Sequence, residues 1–145
     1  MTLQPDPIEA LVEYLKTDTD LTGLVTHNST VSVYGVELDE DETPNMPRQA
    51  VVIKPAGGGA IPVAYQNYGD ILVNALCYGA TVYEAGQVRR AVHSALKQMT
   101  VNVTNNTLLH WARPAGGPVS FRDPDTDWPV QMQAFQVMAA ETVVT

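Results

Sequence analysis

The chain has 145 residues, of which 45% are hydrophobic, and a net charge of −8 at pH 7. This composition excludes disorder throughout, the single cysteine excludes an internal disulfide, and the negative charge argues against sequence-specific nucleic-acid binding. No apolar run approaches the roughly 20 residues that span a bilayer, and the first residues carry no basic segment of a signal peptide. The length predicts one domain over residues 1–145. The single cysteine and the lack of a signal-peptide pattern predict a protein made and used in a reducing cytoplasm.

A short amphipathic helix is predicted from Ile8 to Lys16. Asp6 suits the N-cap and Pro7 the first helical position. Asp18 or Asp20 is expected to begin another short turn, which carries the apolar residues Leu21, Leu24 and Val25. A brief strand is expected around Val31, Val33 and Val36.

An acid-rich loop follows at about 37–48. Residues 1–47 hold ten acidic residues and one basic residue, whereas residues 48–145 hold six acidic and seven basic ones. The loop contributes Glu37, Asp39, Glu40, Asp41 and Glu42. Two interpretations stay open: a solvated loop that aids solubility, or a surface that meets a basic partner or repels DNA.

A compact apolar strand is predicted at Ala50–Lys54. The turn Pro55–Gly59 follows, and Ile61–Tyr65 is expected to return as a hairpin partner. The same basic-Pro-Ala-Gly-Gly turn recurs at Arg113–Gly117. Both turns are expected to project as hairpin tips that are available to a partner.

The stretch Gly69–Met99 changes its hydrophobic period from two to 3.6. Asp70–Tyr78 reads as a strand that is apolar on both faces, so it is expected to be central and covered on both sides, or covered by a neighbouring subunit. Thr81–Met99 reads as a helix that starts with the capping box Thr81-x-x-Glu84. Its apolar face, which includes Val88, Val92 and Leu96, is expected to be buried. Arg89 and Arg90 are expected to stay accessible.

Three further strands are predicted at Leu108–Arg113, Val119–Arg122 and Trp128–Val144. Together the elements predict an α+β domain. Its mixed, mainly antiparallel sheet packs against two helices and carries a projecting hairpin or loop.

The sequence predicts no catalytic residue, no cofactor and no metal site. The three histidines share no metal-ligand spacing, and Cys77 lies inside a strand pattern as a small core residue. Asp123, Asp125 and Asp127 resemble the first half of a calcium loop, but Trp128 stands where such a loop needs glycine. A loop closed by Asx turns is the better interpretation, and weak divalent binding there is left open.

The order of elements resembles that of the tail-terminator, or tail-completion, proteins of long-tailed bacteriophages. The likeness covers roughly residues 7–140. It depends on the short first helix, on Val33-Tyr34-Gly35, on Pro47–Ile53, and on a long strand that runs into the helix Tyr83–Leu96. The acidic segment Glu37–Thr43 is longer and more charged than that family leads one to expect.

The resemblance implies a structural virion protein located in the tail or neck and assembled in the host cytoplasm. Its partners would be further copies in a ring, typically sixfold, together with the tail-tube protein and the head-closure or connector protein. No reaction, membrane or sequence-specific nucleic acid is implied. The alternatives are another neck or tail protein, such as a connector or tail-tube subunit, a small-ligand or regulatory binding domain, and, least favoured, an enzyme.

In such a ring, the acidic loop of one subunit would meet the basic face of the next. The candidate interface residues are Glu37, Asp39, Glu40, Asp41, Glu42, Gly57, Gly58, Arg89, Arg90, Arg113 and Arg122.

Overall fold

The computed structural model describes residues 7–27, 29–38, 40, 43–56, 68–99, 102–104 and 107–141. These residues form three α-helices, nine strands and one 3₁₀ turn at Thr43–Asn45. The helices are α1 (Pro7–Leu15), α2 (Thr19–Val25) and α3 (Val82–Lys97). The strands are β1 (Thr26–His27), β2 (Thr30–Val31), β3 (Val33–Gly35), β4 (Ala50–Pro55), β5 (Tyr68–Tyr78), β6 (Asn102–Thr104), β7 (Thr107–Pro114), β8 (Val119–Arg122) and β9 (Pro129–Glu141).

Helix α1 lies where the apolar spacing predicts it. Leu11 and Leu15, one helical turn apart, are at most 1% exposed, so this face of the helix is part of the core. The hydroxyl of Tyr14 donates a hydrogen bond of 2.7 Å to the carbonyl oxygen of Ala95, which connects α1 to α3. Asp6, the predicted N-cap, lies outside the described residues.

Helix α2 corrects the prediction of two helices, because the described residues form three. It packs against α3. The Asp18 carboxylate caps α2 by accepting a hydrogen bond of 2.9 Å from the backbone N–H of Leu21. Leu21 and Val25 are fully buried one turn apart. Seven residues that include Gly23 are too few for a clear helical period, so the sequence indicates only a turn.

The main sheet has seven strands, and it is mixed and mainly antiparallel as predicted. Its strand order is β3-β4-β5-β9-β7-β6, with β8 paired to β9, and β3–β4 is the parallel pair among those described. Helix α1 contacts β3 and β4 near one end of this order and β6 and β7 near the other. The sheet therefore curls around α1.

Strands β7 and β8 lie one after the other along the same edge of β9. Strand β5 occupies the opposite edge of β9 over its whole paired length. The backbone N–H of Ala115, just after β7, still donates a bond of 2.9 Å to the carbonyl oxygen of Ala134 on β9. Residues 116–118 then bulge away from the ladder, and the buried side chain of Gln133 donates a hydrogen bond of 3.3 Å to the carbonyl oxygen of Gly116. The Arg113–Gly117 turn is thus an interruption within an edge, and its prediction as a hairpin tip was wrong.

Strand β4 is paired on both sides, by β3 and by β5. Its antiparallel partner is therefore β5 rather than the predicted Ile61–Tyr65, which lies outside the described residues together with Gly57 and Gly58. The strands predicted at Asp70–Tyr78 and Trp128–Val144 correspond closely to β5 and β9. Strand β6 has no counterpart among the predicted strands.

The turn from β5 into α3 is tight. The hydroxyl of Thr81 accepts a hydrogen bond of 3.2 Å from the backbone N–H of Glu84, as the capping box predicts for the N-cap residue. A side chain on Gly79 would overlap the backbone of Ala85 and Glu84, so glycine is required there. The helix side of β5 is buried through Val73, Ala75 and Cys77.

The outer face of the sheet carries a second, smaller apolar cluster. Ala50, Val52, Tyr78 and Val130 are buried there. Leu38 and Met46, from the acid-rich loop, pack against this cluster, as does Trp128, whose ring meets that of Tyr78 edge-on at 6.1 Å. The loop therefore folds over one end of β5, which is covered on both faces at that end as predicted.

Candidate subunit interface

The described side chains do not assemble a reactive centre. Cys77 is fully buried, and its burial raises the pKa of the thiol to about 12, against a smaller opposite effect of the Arg89 charge. A thiol of that pKa is not a nucleophile at neutral pH. No cluster of three or more histidine, cysteine or acidic side chains able to hold a metal occurs within the described ranges. No helix in this part of the chain is long and apolar enough to cross a membrane.

The Asp123–Trp128 loop, which connects β8 to β9, is closed by its own hydrogen bonds. The Asp123 carboxylate accepts bonds from the backbone N–H groups of Asp125, at 2.9 Å, and Thr126, at 3.2 Å. The backbone N–H of Asp123 in turn donates to the carbonyl oxygen of Trp128 at 2.9 Å. This is the Asx-turn arrangement that the sequence predicts.

The described acidic residues of the predicted interface lie just after β3. Glu37 and Glu40 are exposed, whereas Asp39, Asp41 and Glu42 lie outside the described residues. Next to Glu37 is an apolar groove of about 330 Å³, lined by Ile8, Glu9, Val12, Gly35 and Val36. The acidic side of the molecule therefore has an apolar depression next to its charges.

Val36, at the rim of this groove, has an unusual backbone. Its φ of 69° lies in the left-handed region, which a β-branched residue rarely occupies. Its backbone N–H donates a bond of 2.8 Å to the carbonyl oxygen of Ile53, which holds the conformation, and its side chain is 56% exposed. A strained residue with an exposed apolar side chain is a candidate for function.

The four arginines of the predicted interface differ in environment. Arg89 is half-buried, and its guanidinium donates to the side-chain oxygens of Gln131, at 2.9 Å, and Gln133, at 3.4 Å. The expectation that Arg89 stays accessible is thus wrong in part, because the arginine stem lies against β9. Arg90 is exposed as predicted.

Arg113 and Arg122 are both exposed and lie near the β7–β8 edge. The Arg113 guanidinium lies 4.5 Å from the centre of the Trp111 ring and donates to the side-chain oxygen of Gln136 at 3.1 Å. Arg122 lies 3.9 Å from the carboxylate of Asp127. Among the described residues, the guanidinium groups of Arg89 and Arg113 thus meet neutral amides rather than carboxylates.

The sequence did not single out two exposed apolar residues. Val36 and Val119, the latter 52% exposed on β8, are ordinary strand formers in the sequence. No periodic signal distinguishes them, because their exposure follows from the edge positions of β3 and β8 in the tertiary fold.

The fold is shared with two solved structures of viral or virus-like origin. One is a chain of the virion of a native gene transfer agent particle: it has 17% identity, covers 96% of this chain and 95% of that chain, and aligns with a TM-score of 0.61. The other is the bacteriophage SPP1 gp17 protein, with 18% identity over 94% of this chain and 88% of that chain and a TM-score of 0.52. At these identities the likeness is one of fold. Family models and curated proteins give no match.

Proposed function

We propose that this chain is a structural virion protein of a bacteriophage or a related particle, and that it works as a tail terminator. In this role it forms a ring that caps the tail tube and offers a surface to the head connector. The observation that carries the proposal is the shared fold: the chain matches, over 96% of its length, a chain of a gene transfer agent virion. The bacteriophage SPP1 gp17 protein has a similar fold.

A ring requires two different surfaces on each subunit, because a head-to-tail contact that closes joins unlike patches. The acidic segment with Glu37 and Glu40 and the arginines around β7 and β8 supply surfaces of opposite charge. Exposed ion pairs contribute only about 0–1 kcal/mol each, so apolar packing must supply most of the affinity. Charge then sets the register and the association rate.

The assembly state of the purified protein tests the proposal. Native mass spectrometry and negative-stain imaging over a range of protein concentrations are expected to reveal rings. Labelled protein in purified particles is expected at the junction of head and tail. A location along the tube or in the connector would instead favour the alternative of another neck or tail component. A protein that is monomeric at every concentration and never enters a particle would rule out both roles.

The charge contribution has its own test. The double variant E37Q/E40Q is expected to assemble more slowly than wild type at low salt and equally at high salt, because salt screens exposed charges. A matched control, D20N/D125N, removes the same charge at exposed positions on α2 and on the β8–β9 loop. If both variants behave like wild type at low salt, the acidic segment does not guide pairing between subunits.

A further inference from the structure

The register of the main sheet places the exposed Val119 and the α1–β3 groove at the two ends of one row. Tyr34, Val52, Leu76, Met132 and Val119 are successive neighbours across β3, β4, β5, β9 and β8. Four interstrand steps separate the ends of the row, or about 19 Å along the sheet. Val36 lies two residues beyond Tyr34 at the groove end. Val119 therefore cannot fill the groove of its own chain.

The two ends are complementary in shape and polarity. The groove is an apolar depression between α1 and β3, and Gly35 keeps it open to a close approach: a Cβ there would lie 3.1 Å from the Ile8 side chain. The other end projects a single exposed valine from an edge strand, next to the bulge at residues 116–118.

The charges at the two ends are also complementary. Glu9 lines the groove and Glu37 follows its rim residue Val36, and both are exposed. On the other side, Arg113 is exposed on β7 just before the bulge. Its guanidinium contacts the Trp111 ring and the neutral Gln136 amide rather than a carboxylate among the described residues, so its charge can pair with a carboxylate of a second copy.

We propose that the α1–β3 groove binds the β8 edge of a second copy of this chain, with Val119 seated against Val36, Ile8 and Val12 and with Arg113 beside the acidic rim. The proposal depends on the ring proposed above and specifies which two surfaces close it. The contact joins unlike surfaces, so it repeats around a ring rather than forming a two-fold dimer.

Two single variants test the contact. V119N and V36N each replace one exposed apolar anchor, and each is expected to weaken self-association about tenfold or more, the equivalent of losing the burial of one valine. V82N is the matched control, because Val82 is 42% exposed on α3, outside both surfaces, and is expected to assemble like wild type. Circular dichroism and thermal unfolding establish that each variant is folded before its association is measured.

Cross-linking then identifies the partner surfaces. V36C and V119C introduce reactive thiols, whereas the native Cys77 is buried. With a short bis-maleimide, a mixture of the two single variants is expected to form covalent dimers. The double variant V36C/V119C is expected to form a series of cross-linked oligomers up to the size of the ring. Neither single variant alone is expected to link.

The outcomes separate this inference from the ring proposal. Rings that form normally from V36N and V119N and show no link between positions 36 and 119 would overturn the inference and leave the ring standing. Links of V36C to itself would indicate a two-fold dimer and overturn the inference. A wild-type protein that never forms rings would overturn the ring proposal and the inference with it.

Discussion

The Nε atom of Arg89 lies 2.9 Å from the side-chain oxygen of Gln131 and so connects the middle of α3 to β9. A second bond from the same guanidinium reaches Gln133 at 3.4 Å, and Gln133 in turn holds the bulge through Gly116. Gly86 allows this approach, because a Cβ there would lie 3.2 Å from the Gln131 amide. One arginine thus ties α3 to β9 on the helix-facing side of the sheet.

Replacing Arg89 with methionine keeps most of the apolar stem and removes the donors. The variant R89M is expected to lower the free energy of unfolding by about 1–3 kcal/mol, because the half-buried Gln131 and the buried Gln133 lose a charged hydrogen-bond partner. Urea unfolding measures the change. R90M is the control, since Arg90 is the exposed neighbour on the same helix. Equal stabilities for the two variants would contradict a structural role for the Arg89 contacts.

Burial of Cys77 predicts a pH dependence of stability in alkaline solution. The pKa of this thiol rises from 9.0 to about 12 in the folded protein, so the folded chain keeps its proton while the unfolded chain loses it. The unfolded state then binds fewer protons above pH 9, and stability falls as the pH rises from 9 towards 12 by about 1 kcal/mol for each pH unit. Below pH 9 the thiol contributes no slope.

The variant C77A checks this pH dependence by comparison of slopes. Near neutral pH its stability is lower, because a buried side chain is truncated. The part of the decline that is due to the thiol is expected to disappear between pH 9 and 10. Above pH 10, Tyr14 and Tyr78 add slopes of their own, because burial raises the pKa of both phenols. If wild type and C77A lose stability in parallel from pH 8 to 10, the pKa of the Cys77 thiol is not raised in the folded protein.

The sequence predicts the long elements well because their signals are local. Helix α3 follows from a capping residue and from apolar residues every three or four positions, and β5 and β9 follow from uninterrupted strand patterns. Strand β6 is only three residues long, and α2 only seven. Elements this short take their conformation from the tertiary contacts around them.

The burial of α3 has a direct test, because Leu96 is 2% exposed on the core side of this helix. Truncation of this residue in L96A is expected to lower the free energy of unfolding by about 2–5 kcal/mol, through lost burial and the cavity that remains. K97A is a suitable control, since its exposed side chain lies on the next residue of the same helix. A melting temperature of L96A equal to that of K97A would mean that the buried face of α3 is wrongly assigned.

The charges of the candidate interface could be predicted from the sequence, but its shape could not. A concentration of acidic residues at 37–42 and of arginines later in the chain is visible in the sequence. The groove is not visible there, because it forms where α1 and β3 come together. Along the chain they are separated by α2 and by strands β1 and β2, which pair with each other. The bulge between β7 and β8 is also hidden, since its Pro-Ala-Gly-Gly sequence equally suits a projecting turn.

Strain at Val36 predicts that stability and assembly respond in opposite directions to one substitution. A β-branched residue in the left-handed region costs about 1–2 kcal/mol, whereas asparagine adopts it readily. V36N is therefore expected to raise the free energy of unfolding by about 1 kcal/mol, since Val36 is largely exposed and little apolar burial is lost. V82N, at a helical position without this strain, is expected to give no such gain. Thermal unfolding of both variants and of wild type measures the effect. A V36N protein that is less stable than wild type would contradict the prediction, because it would show that the Val36 side chain stabilises the isolated subunit.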